Sequence, residues 1–552
     1  MNLSAATSCF LCGTSEAWTT SRAVVEGGQE RWIELEGAIS EDLCRCVQGW
    51  YLSGNQCEFC AEGASCPGSG ALQVLPGFHS SASDPGRLMK CFGNPLRCPG
   101  GLPGTCSAGR DPDSIACSSC LSGLQPTAQE CVPCTGGDYL AISLLAGLGL
   151  LLTGALHILL TMDRMKGSHF DRLLGAALCV SQLITCAQLF SVIEQIQGIT
   201  WKEPFLSFLQ FFGILSLQTL VESVKTVGCV ARITSEMEFL IRTLLVPLLF
   251  TIGPVFAHLV MVKLHLAQGS GGLVKTFGFL MQLFFISLCS SFVEPFRCNV
   301  HPNGLLTMQT AHDVFCNFSD THLTLCWMSG LICLLPLTFL VLCTWVLLVV
   351  LPGKTQAADA LFVRACSFLI LRFKPGYGGF TIAFLMRNLL FVLGPTMQAA
   401  SLLVMGSLLA AVGVSVAYLK PWRLELSTQV DVLMNWVLLV VLLAGAMTFD
   451  DFTASETDGL MILCTVCGCC LTFAILFAAM YSVVKHIASN FRKKYAFFLS
   501  HQKSASSGFA RLLKMELKRC GSGYTSFIDA DDLTDLSRLF FYVTNDTQTF
   551  VL

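Results

Sequence analysis

Nine apolar stretches, each long enough to cross a bilayer, constrain this chain more than any motif in it. They are 139–162, 173–194, 238–262, 275–293, 323–351, 378–398, 400–418, 429–449 and 459–484. A helix rises about 1.5 Å per residue and the hydrocarbon core is about 30 Å thick, so about 20 apolar residues suffice for a span. Composition points the same way: 53% of the 552 residues are hydrophobic and 13% charged, against about 25% charged in soluble domains. Charge is kept out of long segments, and the bilayer is the first partner implied. The net charge of −3 decides nothing, because the two ends differ in sign. No long basic run is present, which excludes nucleic acid as a partner class.

A tenth stretch, "FLSFLQFFGILSLQTLV" at 205–221, is ambiguous, since its apolar residues favour one face and charges flank it. Parity decides it. If 205–221 crossed, the loop 294–322 would share a side with the basic loop "MDRMKGSHFDR". That loop carries Cys298, Cys316 and the glycosylation sequon Asn317-Phe318-Ser319, which belong on a lumenal or outer side. If 205–221 lies along the outer surface, the signs agree throughout. Arg164, Lys166, Arg172, Lys263, Lys275, Lys354, Arg364, Arg372, Lys374, Lys420, Arg423 and Arg492–Lys494 all fall inside, and the acidic "FDDFTASETDG" falls outside. The expectation is an α-helical polytopic membrane protein of nine spans, N-terminus out and C-terminus cytosolic, in the plasma membrane. Cys298 and Cys316 are expected to pair.

Fourteen cysteines precede residue 135: Cys9, Cys12, Cys44, Cys46, Cys57, Cys60, Cys66, Cys91, Cys98, Cys106, Cys117, Cys120, Cys131 and Cys134. They sit among Gly, Pro and Ser with few runs able to build an apolar core. Disulfides, each contributing about 2–4 kcal/mol, would replace that core in an oxidising compartment. The competing reading is a zinc knuckle from Cys117-x-x-Cys120 and Cys131-x-x-Cys134. The other spacings do not form sets of four, so disulfides are preferred, with connectivity open. Residues 1–20 contain no charged head followed by an apolar run; since this segment has to be translocated, the natural chain is expected to begin earlier.

Two features inside the spans could carry chemistry. Arg387 and Asn388 lie in the sixth stretch, where an arginine costs at least about 2.5–3.5 kcal/mol at mid-depth. The alternatives are an ion pathway or gating charge on one hand, and a structural pair or a snorkelling side chain on the other; the structural alternatives are preferred. "CTVCGCC" (Cys464, Cys467, Cys469, Cys470) is read as helix-packing residues rather than a metal site. "FLILRFKPGYGGF" reads as an interfacial helix ended by Pro375, and "YLKPWRLELSTQVD" as an inner turn with a belt Trp422.

"CRCVQGWYLSGNQCEFCAEGASCPG" and "CPGGLPGTCSAGRDPDSIACSSCLSGLQPTAQECVPC", together about 44–134, resemble ephrin-receptor-like cysteine-rich repeats, relatives of EGF-like and tumour-necrosis-factor-receptor-like modules. The resemblance implies an elongated, disulfide-stapled stalk of short hairpins within an extracellular region 1–137. The spans, 138–484, with their "KPW" turn, are similar to transient-receptor-potential-like channels, though no selectivity-filter motif is evident.

The remainder, 485–552, changes pattern. "YAFFLSH" is a short buried-type strand, "SSGFARLLKMELKRC" places Phe509, Leu512, Leu513 and Leu517 at helical spacing, and "YTSFIDADDL" is a second strand running into an acidic turn. "LTDLSRLFFYVTN" reads as a helix and "QTFVL" as a third strand, predicting a parallel sheet. From Tyr495 on, this resembles a Toll/interleukin-1 receptor (TIR) domain. Phe498, Leu499, Ser500 and His501 match the family's first box. Phe527, Ile528, Asp529, Asp531, Asp532 and Leu533 match the second strand and the loop that in the family mediates pairing. Some relatives cleave NAD with a glutamate on a helix after the third strand, which these residues do not include; no catalytic residue, cofactor or metal ligand is assigned. The tail is expected to be a truncated domain or to fold with a partner.

The functional expectation is a receptor-like, sensory signalling protein. Its ectodomain would recognise an extracellular ligand or matrix, and its tail would assemble with TIR-like partners. The alternative is a transient-receptor-potential-like cation channel. An enzyme is not expected.

Overall fold

The computed structural model describes residues 18–26, 29–34, 44–53, 56–68, 71–126, 130–133, 137–161, 168–199, 201–215, 235–266, 269–353, 360–449, 454–491, 495–501, 506–520, 525–532 and 547–551. The chain divides into two compact units, Met1–Met162 with Leu183–Cys469 and Asp163–Gln182 with Cys470–Leu552.

The first unit begins with small antiparallel sheets. β1 (Trp18–Glu26), β2 (Gln29–Glu34) and β3 (Cys44–Cys46) form one, in the order β2-β1-β3. Four two-stranded pairs follow: β4 (Trp50–Ser53) with β5 (Gln56–Phe59), β6 (Ala64–Ser65) with β7 (Gln73–Val74), β8 (Phe78–His79) with β9 (Met89–Lys90), and β10 (Leu124–Pro126) with β11 (Cys131–Pro133). Isolated pairs of this size are marginal in water. Disulfides Cys46–Cys57, Cys60–Cys66, Cys91–Cys98, Cys106–Cys117 and Cys120–Cys131 hold them together. Connectivity, open from spacing alone, is thus local: each of these cysteines bonds the next along the chain. The zinc alternative is overturned, because Cys117 and Cys120 are committed to two different disulfides. Cys9, Cys12 and Cys134 lie outside the described residues, and Cys44 opens β3. Two small cores remain, Tyr51, Cys66, Leu72, Val74 and Leu88 in one, and Met89, Cys91, Cys98, Ala116 and Cys117 in the other.

The apolar stretches are helices. They are α1 (Gly137–Thr161), α2 (Ser168–Glu194), α3 (Phe205–Leu215), α4 (Ser235–Lys263), α5 (Gly271–Leu283), α6 (Phe285–Val293), α7 (Asp320–Trp345), α8 (Ala360–Ala365), α9 (Ser367–Ile370), α10 (Phe380–Leu393), α11 (Ser401–Leu419), α12 (Glu425–Ala446) and α13 (Ala454–Phe491). Among the described residues seven are long and apolar enough to span a membrane, those of α2, α4, α7, α10, α11, α12 and α13. The stretch 275–293 is two helices, α5 and α6, bent by 60° about Phe284, and makes an eighth if the pair is one span. The first stretch is α1, of which Ala146–Thr161 stands as a shorter apolar helix.

The neighbours of the ambiguous stretch 205–221 meet the loop 294–322. Gln309 Nε2 donates to the Gln195 carbonyl at 3.2 Å, the Gln197 amide donates to the Cys298 carbonyl, and Ser235 Oγ donates to Asp313 Oδ2 at 2.9 Å. Residues on both sides of the segment thus contact the one loop 294–322. The helix α3 buries Phe205, Leu209 and Phe212 and exposes Ser207 and Gln210, but Phe211 is also 60% exposed, so its apolar residues are not confined to one face. Phe205, Phe208 and Phe212 ring Phe190 of α2, with centroids 6.4, 5.4 and 5.7 Å away. Residues 216–221 lie outside the described residues.

Small residues set the tightest helix contact, as is common between membrane helices. A Cβ on Gly253 of α4 would fall 2.1 Å from Thr153 Oγ1 and 2.8 Å from the Leu150 carbonyl of α1. That Thr153 hydroxyl lies 2.9 Å from the Gly149 carbonyl and 3.2 Å from the Leu249 carbonyl, donating within and across the pair.

In the second unit, β14 (Tyr495–Leu499), α14 (Ser507–Cys520), β15 (Ser526–Phe527), α15 (Asp529–Asp532) and β16 (Thr547–Val551) follow the basic segment after α13. The sheet order is β15-β14-β16, and both pairings are parallel, as the strand–helix–strand pattern requires. Leu499, Ala510 and Ile528 form its core, with Phe497, Leu513 and Leu517 against it. The helix face differs from the sequence reading. Phe509 and Leu512 are 69% and 55% exposed, and Ala510 takes the inward place. The helix read from "LTDLSRLFFYVTN" and the box residue Leu533 lie outside the described residues.

Candidate functional site

The buried charge of the bundle lies where α10 meets α12. In "FTIAFLMRNLLFVL" the inward face of α10 holds Thr381, Phe384, Leu385, Arg387, Asn388, Phe391 and Val392. Arg387 is 3% exposed and Asp431, on α12, 1%. Arg387 Nη1 lies 3.4 Å from Asp431 Oδ1, its Nε and Nη2 donate to Asn388 Oδ1 at 3.1 and 2.9 Å, and its guanidinium carbon stands 4.5 Å over the Phe384 ring. The carboxylate is filled from the other side. The Trp422 indole donates to Asp431 Oδ2 at 2.8 Å, and Asn435 Nδ2 donates to Oδ1 at 3.2 Å. Of the readings for Arg387, the structural pair is the one observed. Its partner was missed from sequence, although Asp431 and Asn435 stand four apart at the start of an apolar run, one above the other on a helix.

The two turns beside this knot are one structure. Phe373 bridges Trp422, Lys374 N donates to the Pro421 carbonyl at 2.8 Å, and Arg423 N donates to the Arg372 carbonyl at 3.0 Å. Helix therefore stops at Ile370 rather than Pro375, because residues 372–374 pair in extended form. Trp422 is fully buried between Phe373 and Phe384, so it is a core residue rather than a belt anchor. The guanidinium of Arg372, 4% exposed, also stands over the Phe384 ring, at 5.7 Å.

The loop 294–322 joins several elements of the first unit. β12 (Cys298–Val300) and β13 (Leu306–Met308) form a hairpin closed by the Cys298–Cys316 disulfide, the pair expected from sequence. Besides its contacts near α2 and α4, its Arg297 Nη2 donates to the Val392 carbonyl of α10 at 3.3 Å. His322 Nε2 of α7 donates back to the Pro295 carbonyl at 3.0 Å. The cysteine-rich module packs against the same loop. Leu305 and Phe315 pack against the Met89–Cys117 core, Arg87 stands 5.1 Å over Phe315, and Asn303 Nδ2 contacts Met89 Sδ.

His301 is the centre of that seat, 3% exposed. Its Nδ1 accepts from the Lys90 backbone N–H at 3.0 Å, so that nitrogen carries no proton. The neutral ring then holds its proton on Nε2, which donates to Thr307 Oγ1 at 2.7 Å. Burial first, and then the nearby Arg97 cation, push its pKa down to about 4. Phe92 packs edge-on at 5.2 Å.

Other sequence candidates fall as follows. Asn317 is exposed, its Oδ1 accepting from the Ser319 N–H at 3.1 Å. Cys464 is buried, Cys467 and Cys469 are half-buried and Cys470 is exposed, and all four are thiols. Gly468 among them fits helix packing, since a Cβ there would lie 2.5 Å from the Phe208 ring. Two clusters of metal-ligand type, His79 with Cys106 and Cys117, and His322 with Cys298 and Cys316, each spend both sulfurs in a disulfide. In the tail Phe498 stacks on Phe527 at 5.3 Å and Ile528 is fully buried. Ser500 and His501 follow β14 at its exit. Asp531 pairs with Arg511 at 2.8 Å, which holds its carboxyl below the usual range, and Asp532 pairs with Lys514 while accepting from the Ile528 N–H at 2.9 Å. The acidic turn after Phe527 is thus α15, neutralised by α14.

No family model, no curated protein and no solved structure matches the chain.

Proposed function

We propose that the chain is a receptor-like membrane signalling protein of nine spans, counting α1 and the bent α5–α6 pair with the seven helices above. The cysteine-rich module, akin to ephrin-receptor-like repeats, would stand outside the plasma membrane and recognise a ligand or matrix component. The TIR-like tail would assemble with like domains in the cytosol. The single observation that carries this reading is the seating of the module on the disulfide-closed loop 294–322, which also grips α10 and the ends of α2, α4 and α7. A module so attached can bias the bundle when it binds. The tail contributes a three-stranded parallel sheet carrying both box segments.

The test is proximity in cells. Full-length chains carrying split-luciferase halves at the C-terminus should give a signal that changes when an antibody clusters the module. Deleting 495–552 while keeping the reporter should abolish the change. A signal indifferent to both would end the receptor reading. Sidedness has its own test: a glycan at Asn317 should be removable by glycosidase, and a cytosolic tag at that position would overturn the topology.

A cation channel is the second reading, favoured by the 60° break between α5 and α6, since broken helices at membrane depth occur where they line a protein-enclosed path. Patch-clamp recording of reconstituted protein decides it. A cation current abolished by Arg387→Ala would replace the receptor reading.

A further inference from the structure

A cavity of about 780 Å³ lies between α4, α5, α7 and the α8–α9 segment, within the size range of small-ligand sites. Phe250, Phe277, Phe339 and Phe368 line it, and Thr338 stands at its lip. Three irregularities shape it. Pro254 lies in its wall inside α4, Pro336 sits beside the lining Leu335, and the α7 helix passes into a π-helix, Val346–Val350, at the lining Val346. Such π segments are rare and often mark functional sites. Gly278 closes one side: a Cβ there would fall 2.3 Å from the Phe368 ring, so only glycine lets that ring lie on α5. Val255, Leu334 and Leu342, which are 44%, 58% and 52% exposed, make the opening lateral, toward lipid.

An apolar wall does not choose an occupant in a bilayer, because lipid tails are as apolar as leucine. Charge does. The cavity elements carry Lys263 at the end of α4 and Arg364 two residues before the lining Cys366, both exposed, while Lys275 of α5 donates to the Leu160 carbonyl at 3.1 Å. From Val255 to Val293 the sequence has no acidic residue, and from Cys343 to Leu424 it has one, Asp359. The geometry points to a binding site for an anionic phospholipid, one acyl chain in the cavity and the phosphate beside Lys263 and Arg364. Basic pockets between helices at the cytoplasmic side hold acidic headgroups in this way. The site rests on the proposed topology only for naming the cytosolic leaflet as the source of the lipid.

The experiment uses the full chain in nanodiscs, where both leaflets offer the same lipid, so sidedness does not enter. Phosphatidylserine with a photoreactive acyl chain is compared with phosphatidylcholine bearing the same chain, and labelled peptides are mapped. Labelling should concentrate on 250–281 and 334–369 and favour phosphatidylserine roughly twenty-five-fold, about fivefold for each of the two cations. Thr338→Trp, at an exposed lip, should remove the labelling by filling the cavity. The double variant Lys263→Gln/Arg364→Gln, at exposed positions, should reduce the preference roughly fivefold for each cation lost while labelling by phosphatidylcholine stays unchanged. Equal labelling by the two lipids, labelling indifferent to Thr338→Trp, or displacement of the probe by a sterol would overturn the assignment. Failure of the topology would appear instead at Asn317.

Discussion

Lowering the pH from 7 to 5 is expected to loosen the cysteine-rich module from the loop 294–322, and His301 sets the amount. In the seated state its Nδ1 is an acceptor for Lys90 N–H and its Nε2 donates to Thr307. A second proton has no place, and Arg97 opposes it. The pKa is therefore lowered from 6.5 when free to about 4 when seated. A histidine with a depressed pKa takes up a proton on release. Seating is fully supported above the free pKa and weakens as pH falls through that window toward the seated value. Between pH 7 and pH 5 the difference is roughly 2 kcal/mol, about a twenty- to thirtyfold shift in the open population. The readout is hydrogen exchange at the Lys90 amide of the full chain, corrected for intrinsic rates, whose protection should fall by that factor. His301→Gln keeps one acceptor and one donor without a proton equilibrium, and its protection should be flat across the same range. Wild-type protection that does not change, or a His301→Gln variant that keeps the wild-type slope, would refute the reasoning.

The Arg387–Asp431 pair makes a second case. Asp431→Ala leaves a buried cation uncompensated and should cost about 3–5 kcal/mol, seen as a lower melting temperature in detergent, whereas replacing both members by Met and Leu should restore most of it. Gly253→Leu should separate α1 from α4, because even its Cβ would collide with Thr153 Oγ1 at 2.1 Å; a cost of about 1–3 kcal/mol is expected, and Gly253→Ala should fall between. Removing the Cys298–Cys316 bridge by paired Ser substitutions should cost about 2–4 kcal/mol and raise exchange across both β12 and β13. Asp531→Ala, by contrast, breaks an exposed pair with Arg511 and should leave the tail's melting temperature nearly unchanged.

The helices were legible because hydropathy is a local property, whereas their distortions and contacts are not. The bend at Phe284 falls within a mostly apolar run where only Gln282 interrupts the residues just before it, and no proline or glycine stands at it. The polar Arg387 announced a partner in the sequence; choosing Asp431 required knowing that α10 and α12 pack together, 44 residues apart. The disulfides were visible as a class, but their connectivity depends on which hairpins form. The seat of the module was invisible, since Lys90 and His301 are separated by 211 residues and each lies in an ordinary polar stretch. In the tail, strand order followed from the alternation of elements. The face of α14 did not, because Phe509, Ala510, Leu512 and Leu513 offer two apolar stripes, and the smaller residue packs closer to Leu499 and Ile528.

Under the receptor function proposed above, α10 would link the loop to the buried pair. Val392 is in its last turn, where carbonyls lack a helical partner, and Arg297 takes one of them. Arg387 lies five residues earlier, about 7.5 Å along the axis. A helix is stiff over so short a distance, so a displacement of the loop along this axis reaches the Arg387–Asp431 contact almost undiminished. Because the same loop also holds residues at the ends of α2, α4 and α7, it cannot move α10 alone. Coupling then requires a second arrangement of the buried pair, and the knot supplies its means: Asn388 and Asn435 each bond one member of the pair and could hold it when the two separate.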